Sequence, residues 1–121
     1  IKDEMFYAEK NKGAFYNNQR IRVSKKNSLE ECLFAIGKMK KEPDLAYRRT
    51  GCASLDIAYV ASGRLDGYVQ DNAQLWDIAA GIVIVKEAGG IINNINLDNI
   101  KNIKVLASSE EIHSKFLEKI N

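Results

Sequence analysis

The chain has 121 residues, 45% hydrophobic and 28% charged, which is the composition of one globular domain or of part of one. With 18 basic and 16 acidic side chains the net charge is +2, too balanced to indicate a nucleic-acid or membrane surface. Two cysteines without metal-ligand spacing, a single histidine and no long apolar run argue against a Cys/His-rich metal site and a membrane span, and favour reduced thiols in a cytoplasmic protein.

Residues 1–26 predict a small antiparallel meander. Three short strands, at 5–9, 14–16 and 21–23, are separated by turns rich in Asn and Gly. Strands this short would leave a sheet edge and a sheet face exposed if nothing else covered them. We therefore expect the meander to belong to the sheet of an N-terminal domain, with residues 27–121 forming a C-terminal α/β domain.

The next segment contains conflicting signals. Residues 28–31 have the form of a helix capping box, but residues 32–36 are a continuous apolar run that ends at Gly37. The apolar run favours a buried strand here. Residues 38–44, with a charged run and the only proline, predict a solvated connection.

From Leu45 onward strand and helix patterns alternate, which is typical of an α/β fold. The last helix carries an apolar stripe at Ile112, Phe116, Leu117 and Ile120, with His113 on its outer face. Together these segments predict a mixed sheet flanked by helices. The predicted elements are strands at 45–49, 66–70, 91–92 and 103–107, helices at 54–61 and 77–88, and a final helix capped by Ser108 and Ser109.

The helix predicted from Asp77 to residue 88 carries the clearest chemistry. Asp is a favoured N-cap residue, and Gly89 with Gly90 would end the helix. The segment is apolar on most sides, and residues 79–81 are small enough for a neighbouring backbone to approach, so we expect a helix that is packed on most sides. The Asp77 carboxylate is then either a structural cap or a metal ligand.

A second candidate site is the turn before the helix at 54–61. Gly51, Cys52 and Ala53 are small residues at a strand-to-helix junction, where backbone N–H groups and the helix dipole favour an anion. The alternative is that Gly51 only permits the turn and Ala53 only packs against the sheet. Because Gly51 and Asp77 both lie at strand-to-helix junctions, they are expected at the same end of the sheet.

Four separated motifs resemble the inositol monophosphatase family, in particular its SuhB-like bacterial branch. They are EMFYAEKNKGAF at 4–15, RTGCA at 49–53, VASGRLDGY at 60–68 and WDIAAG to EAGG at 76–90. The resemblance implies the C-terminal mixed-sheet sandwich of a layered αβαβα sugar-phosphatase fold, preceded by strands of the N-terminal sheet. It also implies a Mg²⁺-dependent, lithium-sensitive phosphomonoesterase acting on inositol phosphates or related sugar phosphates.

The resemblance also assigns roles to individual residues. Asp77 matches a catalytic magnesium ligand, and Gly51, Cys52 and Ala53 match the segment that lines the substrate. Gln70 stands where inositol-specific members carry a Glu that binds a ring hydroxyl. An amide keeps an acceptor and adds a donor but loses the charge, so a preference for inositol is not implied.

The family's N-terminal ligands have no match in this chain, and the connection between Gly37 and Arg48 is shorter than usual in the family. We therefore expect a C-terminal half that is inactive without its N-terminal half and that forms a homodimer as part of the complete enzyme. Alternatives are a nucleoside bisphosphate or histidinol-phosphate phosphatase of the same superfamily, or a non-catalytic SuhB-like module that binds the transcription machinery.

Overall fold

A computed structural model describes residues 5–120, so Glu4 of the first motif lies outside the described residues. The elements follow the predicted alternation of strand and helix. The strands are β1 (Phe6–Glu9), β2 (Gly13–Tyr16), β3 (Gln19–Ile21), β4 (Phe34–Ile36), β5 (Tyr47–Arg48), β6 (Gly67–Ala73), β7 (Ile91–Ile92) and β8 (Ile103–Ser108). The helices are α1 (Ala53–Ala61), α2 (Leu75–Glu87) and α3 (His113–Ile120), with a 3-10 turn at Leu29–Glu31.

The strands form two separate sheets. The first is the antiparallel meander β1-β2-β3, and the second has five strands in the order β5-β4-β6-β8-β7. Strand β4 pairs in parallel with β5 and β6, whereas β8 pairs antiparallel with β6 and β7. The second sheet is therefore mixed, as the sequence predicts.

Helices cover both faces of the five-stranded sheet. On one face, α1 and α2 contribute Ile57, Val60, Ile78 and Val85 to the larger core cluster. On the other face, Phe116 of α3 stacks on Phe34 with ring centroids 4.5 Å apart. The meander packs on the far side of α1 and α2, so the described residues form four successive layers: sheet, helices, sheet, helix.

The meander is better supported than its sequence suggests. Its inward residues Phe6, Ala8 and Ile21 pack against the core beneath α1 and α2. One face of the meander is therefore covered by this chain, and its assignment to the sheet of an N-terminal domain stays a prediction. The third strand was misplaced, since it runs over Gln19–Ile21 rather than 21–23. The proposed boundary at residues 26 and 27 stays a prediction.

Two polar contacts fasten the meander to the rest of the chain. The Glu87 carboxylate accepts hydrogen bonds from the backbone N–H groups of Asn11 (2.9 Å) and Gly13 (2.8 Å) in the first hairpin turn. The Arg64 guanidinium lies 4.8 Å from the ring centroid of Tyr16 and 5.0 Å from that of Tyr59. A cation held between aromatic faces on the meander and on α1 stabilises their contact.

Three predicted helix caps are wrong. Helix α2 begins two residues before Asp77, with Gln74 at the N-cap position, so Asp77 lies in the first turn. Ser108 instead ends β8 and Ser109 is buried after it, while α3 begins at His113. The Ser108 hydroxyl lies 2.8 Å from Nδ1 of His113, so this ring is half-buried rather than on the outer face.

Helix α2 packs against α1, the meander and the five-stranded sheet, but the rest of its surface faces outward. Ile78, Gly81 and Val85 are buried against α1 and the sheet, but Trp76 is 65% exposed and Val83 is 39% exposed. The expectation of packing on most sides is therefore wrong within the described residues. No helix within residues 5–120 is long and apolar enough to cross a membrane.

Candidate active site

One cavity contains every residue that the sequence singles out for binding or catalysis. It has a volume of about 310 Å³ and opens where α1 and α2 begin. Asp77 lies at one side of it and Gln70 at another. The remaining lining residues are Gly37, Lys38, Gly51, Cys52, Ala53, Ser54, Asp56 and Tyr68.

The first wall of the cavity is the turn that leads into α1. Gly51 has φ +79°, a left-handed conformation that glycine adopts without strain, and an added Cβ there would meet no atom within 4 Å. Cys52 occupies the N-cap position, but its side chain makes no capping hydrogen bond. The first N–H groups of α1 are therefore free of a side-chain cap, as an anion site at a helix N-terminus requires.

A buried carboxylate supports this turn from below. Asp56 is 1% exposed, and both of its oxygens accept from the Thr50 hydroxyl, at 2.8 and 2.7 Å. Burial raises the pKa of Asp56, and the Thr50 hydrogen bond opposes that rise. Asp56 thus fixes the turn around Gly51 while adding negative potential to the cavity.

The second wall is formed by two side chains of β6. Tyr68 and Gln70 are two residues apart, so they project from the same face of the strand. The Tyr68 hydroxyl donates a short hydrogen bond to Oε1 of Gln70. Burial, reinforced by the negative charges of Asp56 and Asp77, raises the pKa of Tyr68, so this phenol keeps its proton.

Asp71 does not share the cavity with Gln70. Its Oδ2 accepts from the backbone N–H of Lys40 at 3.2 Å, and it lines a different depression together with Met39 and Lys104. Because successive residues of a strand face opposite sides, Asp71 cannot replace the charge that Gln70 lacks.

Asp77 offers an exposed carboxylate to the cavity. Carboxylate oxygens are the ligands that Mg²⁺ prefers, so this residue fits the metal that the sequence resemblance implies. Within residues 5–120, however, no three His, Cys, Asp or Glu side chains come together as a metal-binding group. The described residues therefore bring fewer than three such side chains together, short of the several oxygen ligands that Mg²⁺ needs.

Sequence reasoning missed five residues that line this cavity, Gly37, Lys38, Ser54, Asp56 and Tyr68, and also Thr50, whose hydroxyl donates to Asp56. The prediction that residues 38–44 form only a solvated connection is therefore wrong at Lys38. The spacing of Tyr68 and Gln70 was a usable signal once the strand was recognised. The pairing of Thr50 with Asp56 had a weaker signal, since an Asp in the first turn of a helix usually faces solvent. The role of Gly37 has no local signal, because it depends on contacts with β6.

Comparison with known proteins agrees with this geometry. The sequence profile described as "Inositol monophosphatase family" matches residues 1–121. The chain is 34% identical to a Nus factor SuhB from Haemophilus influenzae, with 99% of this chain aligned to 52% of that protein. It is 38% identical to a fructose-1,6-bisphosphatase/inositol-1-monophosphatase from Thermotoga maritima, with 98% of this chain aligned to 51% of that protein.

Solved structures give the same relationship. The chain superposes on the extragenic suppressor protein suhB from Bartonella henselae with TM-score 0.84 and 37% identity, covering 98% of this chain and 52% of that chain. On an IMPase from Thermotoga maritima the TM-score is 0.86 at 36% identity, with 98% and 51% covered. The chain thus spans about half the length of the relatives it matches.

The alignment with the Haemophilus influenzae relative also shows a difference in length. The Haemophilus influenzae alignment extends over 138 residues, more than the 121 residues of this chain, so the aligned region of that relative contains residues with no counterpart here. Profile, relatives and fold agree, and the chain belongs to the inositol monophosphatase family.

Proposed function

We propose that this chain is the C-terminal half of a Mg²⁺-dependent phosphomonoesterase that acts on inositol 1-phosphate or a related sugar phosphate. The observation that carries the proposal is the convergence of Asp77, Gly51, Cys52, Ala53 and Gln70 on one cavity. These residues lie at the start of α1, at the start of α2 and on β6. The sequence alone indicates each of them as a site residue.

In this proposal Asp77 is the catalytic residue that holds a metal ion. A bound Mg²⁺ lowers the pKa of a water and stabilises negative charge on a phosphate. Asp77 contributes one oxygen ligand from the first turn of α2, where a carboxylate is also favoured by the helix dipole. The other ligands would come from the N-terminal half.

The substrate is positioned by the two walls of the cavity. The Gly51–Ala53 turn presents uncapped N–H groups of α1 to the bound molecule. Gln70 contacts the sugar or inositol moiety at the opposite wall. Thr50 and Asp56 act indirectly, because they hold the turn in shape without reaching the substrate.

The test is to assay the purified chain with Mg²⁺ on inositol 1-phosphate, alone and after mixing with a separately expressed N-terminal half from a family member. We expect turnover only in the mixture, where the metal ligands are complete. Turnover by the chain alone would contradict the division of ligands. A mixture that associates but hydrolyses no sugar phosphate would contradict the proposed function. Profiling nucleoside bisphosphates and histidinol phosphate in parallel separates the related phosphatases.

Two protein partners belong to the proposal: the N-terminal half and a second copy, which would form a homodimer. Their support is the exposed apolar residues Trp76 and Val83 on α2, and the outer edges of β1 and β3, which pair with no further strand in the described part of the chain. Cys32 and Cys52 are both free thiols, which suits the proposed cytoplasmic location.

A second candidate function is a SuhB-like role with the transcription machinery. It is favoured by the 34% identity with a relative named as a Nus factor. An Asp77→Asn protein that loses phosphatase activity and still supports transcription would favour this role. Loss of both activities in a folded protein would favour catalysis as the common requirement.

A further inference from the structure

The hydrogen bond between Tyr68 and Gln70 sets the polarity of one end of the cavity. A glutamine side chain ends in one acceptor, Oε1, and one donor group, Nε2 with two protons. The Tyr68 hydroxyl donates to Oε1, so the acceptor is already engaged within the protein. Nε2 donates to no acceptor within residues 5–120, which leaves the donor end for a ligand.

Tyr68 has no competing acceptor for its single proton among the described residues. The Asp56 carboxylate accepts from the Thr50 hydroxyl, whereas the Tyr68 hydroxyl donates to Gln70. Tyr68 is 1% exposed, so water does not compete either. Oε1 of Gln70 is therefore the partner that keeps this buried hydroxyl satisfied, as a buried polar group requires.

Gly37 holds the pair in place from behind. A Cβ at Gly37 would lie 2.7 Å from Cγ of Gln70 and 2.8 Å from the Tyr68 hydroxyl oxygen. The two side chains thus pack directly on backbone, and Arg49 fixes that backbone by donating to the Gly37 carbonyl at 3.1 Å. The amide cannot retreat toward Gly37 when a ligand enters.

A lysine is also among the residues that line the cavity. Lys38 follows Gly37 and lines the cavity with Gln70. Asp71, the only acidic neighbour of Gln70 in sequence, is directed away and occupied by the backbone of Lys40. The cavity lining therefore combines an amide donor with an ammonium group.

We propose that Gln70 and Lys38 hold an oxyanion on the substrate, so that this site prefers a sugar phosphate carrying a second phosphate or a carboxylate over one carrying only hydroxyls. The inference rests on the proposed phosphatase function and specifies its substrate class. A Glu at this position would accept from a hydroxyl and repel an oxyanion, whereas the oriented amide donates to the oxyanion.

The experiment uses the enzyme reconstituted from this chain and an N-terminal half. Three substrates share one reacting group: glucose 1-phosphate, glucose 1,6-bisphosphate and glucuronic acid 1-phosphate. We expect a higher kcat/KM at the C1 phosphate for glucose 1,6-bisphosphate or glucuronic acid 1-phosphate than for glucose 1-phosphate. The preferred substrate shows whether the site binds a phosphate or a carboxylate. The Gln70→Glu variant should lower that preference about tenfold or more, since it removes a hydrogen bond to a charged group.

Two further variants separate the effect of the orientation of the Gln70 amide from the effect of the Lys38 charge. Tyr68→Phe frees Oε1, so the amide can turn and the preference should weaken, while Lys38→Met should weaken it through the lost charge. Asp71→Asn is the matched control, because it changes an acid to an amide one residue away on the opposite face of the strand. It should leave the preference unchanged.

The outcomes distinguish this inference from the function on which it rests. Activity on all three substrates with a ratio that Gln70→Glu does not alter would overturn the inference and leave the phosphatase intact. No activity on any substrate would overturn both. Independently of turnover, the Gln70 side-chain amide resonances of the chain should shift on adding glucuronic acid 1-phosphate more than on adding glucose 1-phosphate, and equal shifts would count against the inference.

Discussion

Among single residues, Asp77 matters for ligand binding through its place beside the cavity, and not as a cap of α2. Its backbone N–H donates to the Gln74 carbonyl at 3.0 Å, so the residue is inside the helix rather than capping it. The carboxylate is exposed in the cavity and accepts no hydrogen bond from another side chain within residues 5–120. Removing its charge should therefore affect ligand binding more than folding.

We expect Asp77→Asn to abolish most turnover in the reconstituted enzyme while changing the free energy of unfolding by less than about 1 kcal/mol, the usual range for exposed helix-dipole interactions. An amide is a poor ligand for a hard cation. Chemical denaturation and initial rates measure the two effects. If stability and activity fall together, the role of Asp77 is structural and the prediction is contradicted.

Glu87 links α2 to the first hairpin through two backbone N–H groups, which lower its pKa below the ordinary value of 4.5. A carboxyl group with a depressed folded-state pKa stabilises the fold above its unfolded-state pKa, and that contribution is lost as pH falls through the folded-state value. Glu87 therefore stops contributing to stability only at acidic pH.

Glu87→Gln should lower the melting temperature at pH 7, because an amide has one acceptor oxygen for two donors, and the difference from the parent should shrink as pH falls through the lowered folded-state pKa of Glu87. Thermal melts between pH 3 and pH 7, with Glu118→Gln on the exposed face of α3 as the control, measure it. A difference that stays constant with pH would contradict the assignment.

At the scale of elements, the contact between α1 and α2 depends on Gly81. A Cβ at this position would lie 2.5 Å from Cγ2 of Ile57, and both residues are buried. The two helices therefore pack as closely as a glycine allows. Ala79 and Ala80, which were also expected to permit close approach, are exposed.

Gly81→Ala has two opposing effects on stability, one through helix propensity and one through packing. Alanine gains about 1 kcal/mol in a helix interior, but overpacking a core costs about 1–3 kcal/mol, so we expect a net loss of stability. An Ile57→Ala background removes the 2.5 Å contact with Cγ2 but keeps the Cβ of residue 57 at 3.0 Å, so the same substitution should destabilise the protein less there. Urea denaturation of the parent, the two single variants and the double variant gives the coupling free energy between residues 57 and 81. Additive changes in the free energy of unfolding would contradict the close contact.

At the scale of the whole molecule, an apolar helix face is left uncovered. Trp76 and Val83 are exposed on α2, and Leu97 and Ile100 are exposed in the loop whose Ile100 carbonyl accepts from the N–H of Leu75 at the start of that helix. A helix that is apolar on all sides normally lies between two layers. Among the described residues, the meander and the five-stranded sheet both contact α2, and neither covers the face that carries Trp76 and Val83.

Trp76 is the only tryptophan, so its fluorescence reports this face directly. The isolated chain should show the red-shifted emission of an exposed indole, and adding the N-terminal half should shift the emission to the blue as the face is covered. Dilution of the chain alone tests whether self-association hides the indole. A buried, blue-shifted indole in the monomeric chain would contradict the exposed face, and Val83→Lys should weaken association without unfolding the chain.

The sequence alone was sufficient for the features that depend on neighbouring residues. Helix α1, the turn around Gly51 and the mixed α/β order follow from local hydrophobic periodicity, small residues and breakers. Placing Gly51 and Asp77 at one end of the sheet followed from the rule that strand-to-helix junctions share an edge.

Tertiary structure decided what lies far apart in the chain. The start of α2 at Leu75 reflects the longer run of β6, which pairs with β8 as far as Ala73 and so moves the junction ahead of Asp77. The orientation of Gln70 depends on Tyr68 and on Gly37, whose place behind it comes from the parallel pairing of β4 with β6. The link from Glu87 to the first hairpin spans 74 to 76 positions. Such contacts carry no local signal, because their energy depends on which surfaces the fold brings together.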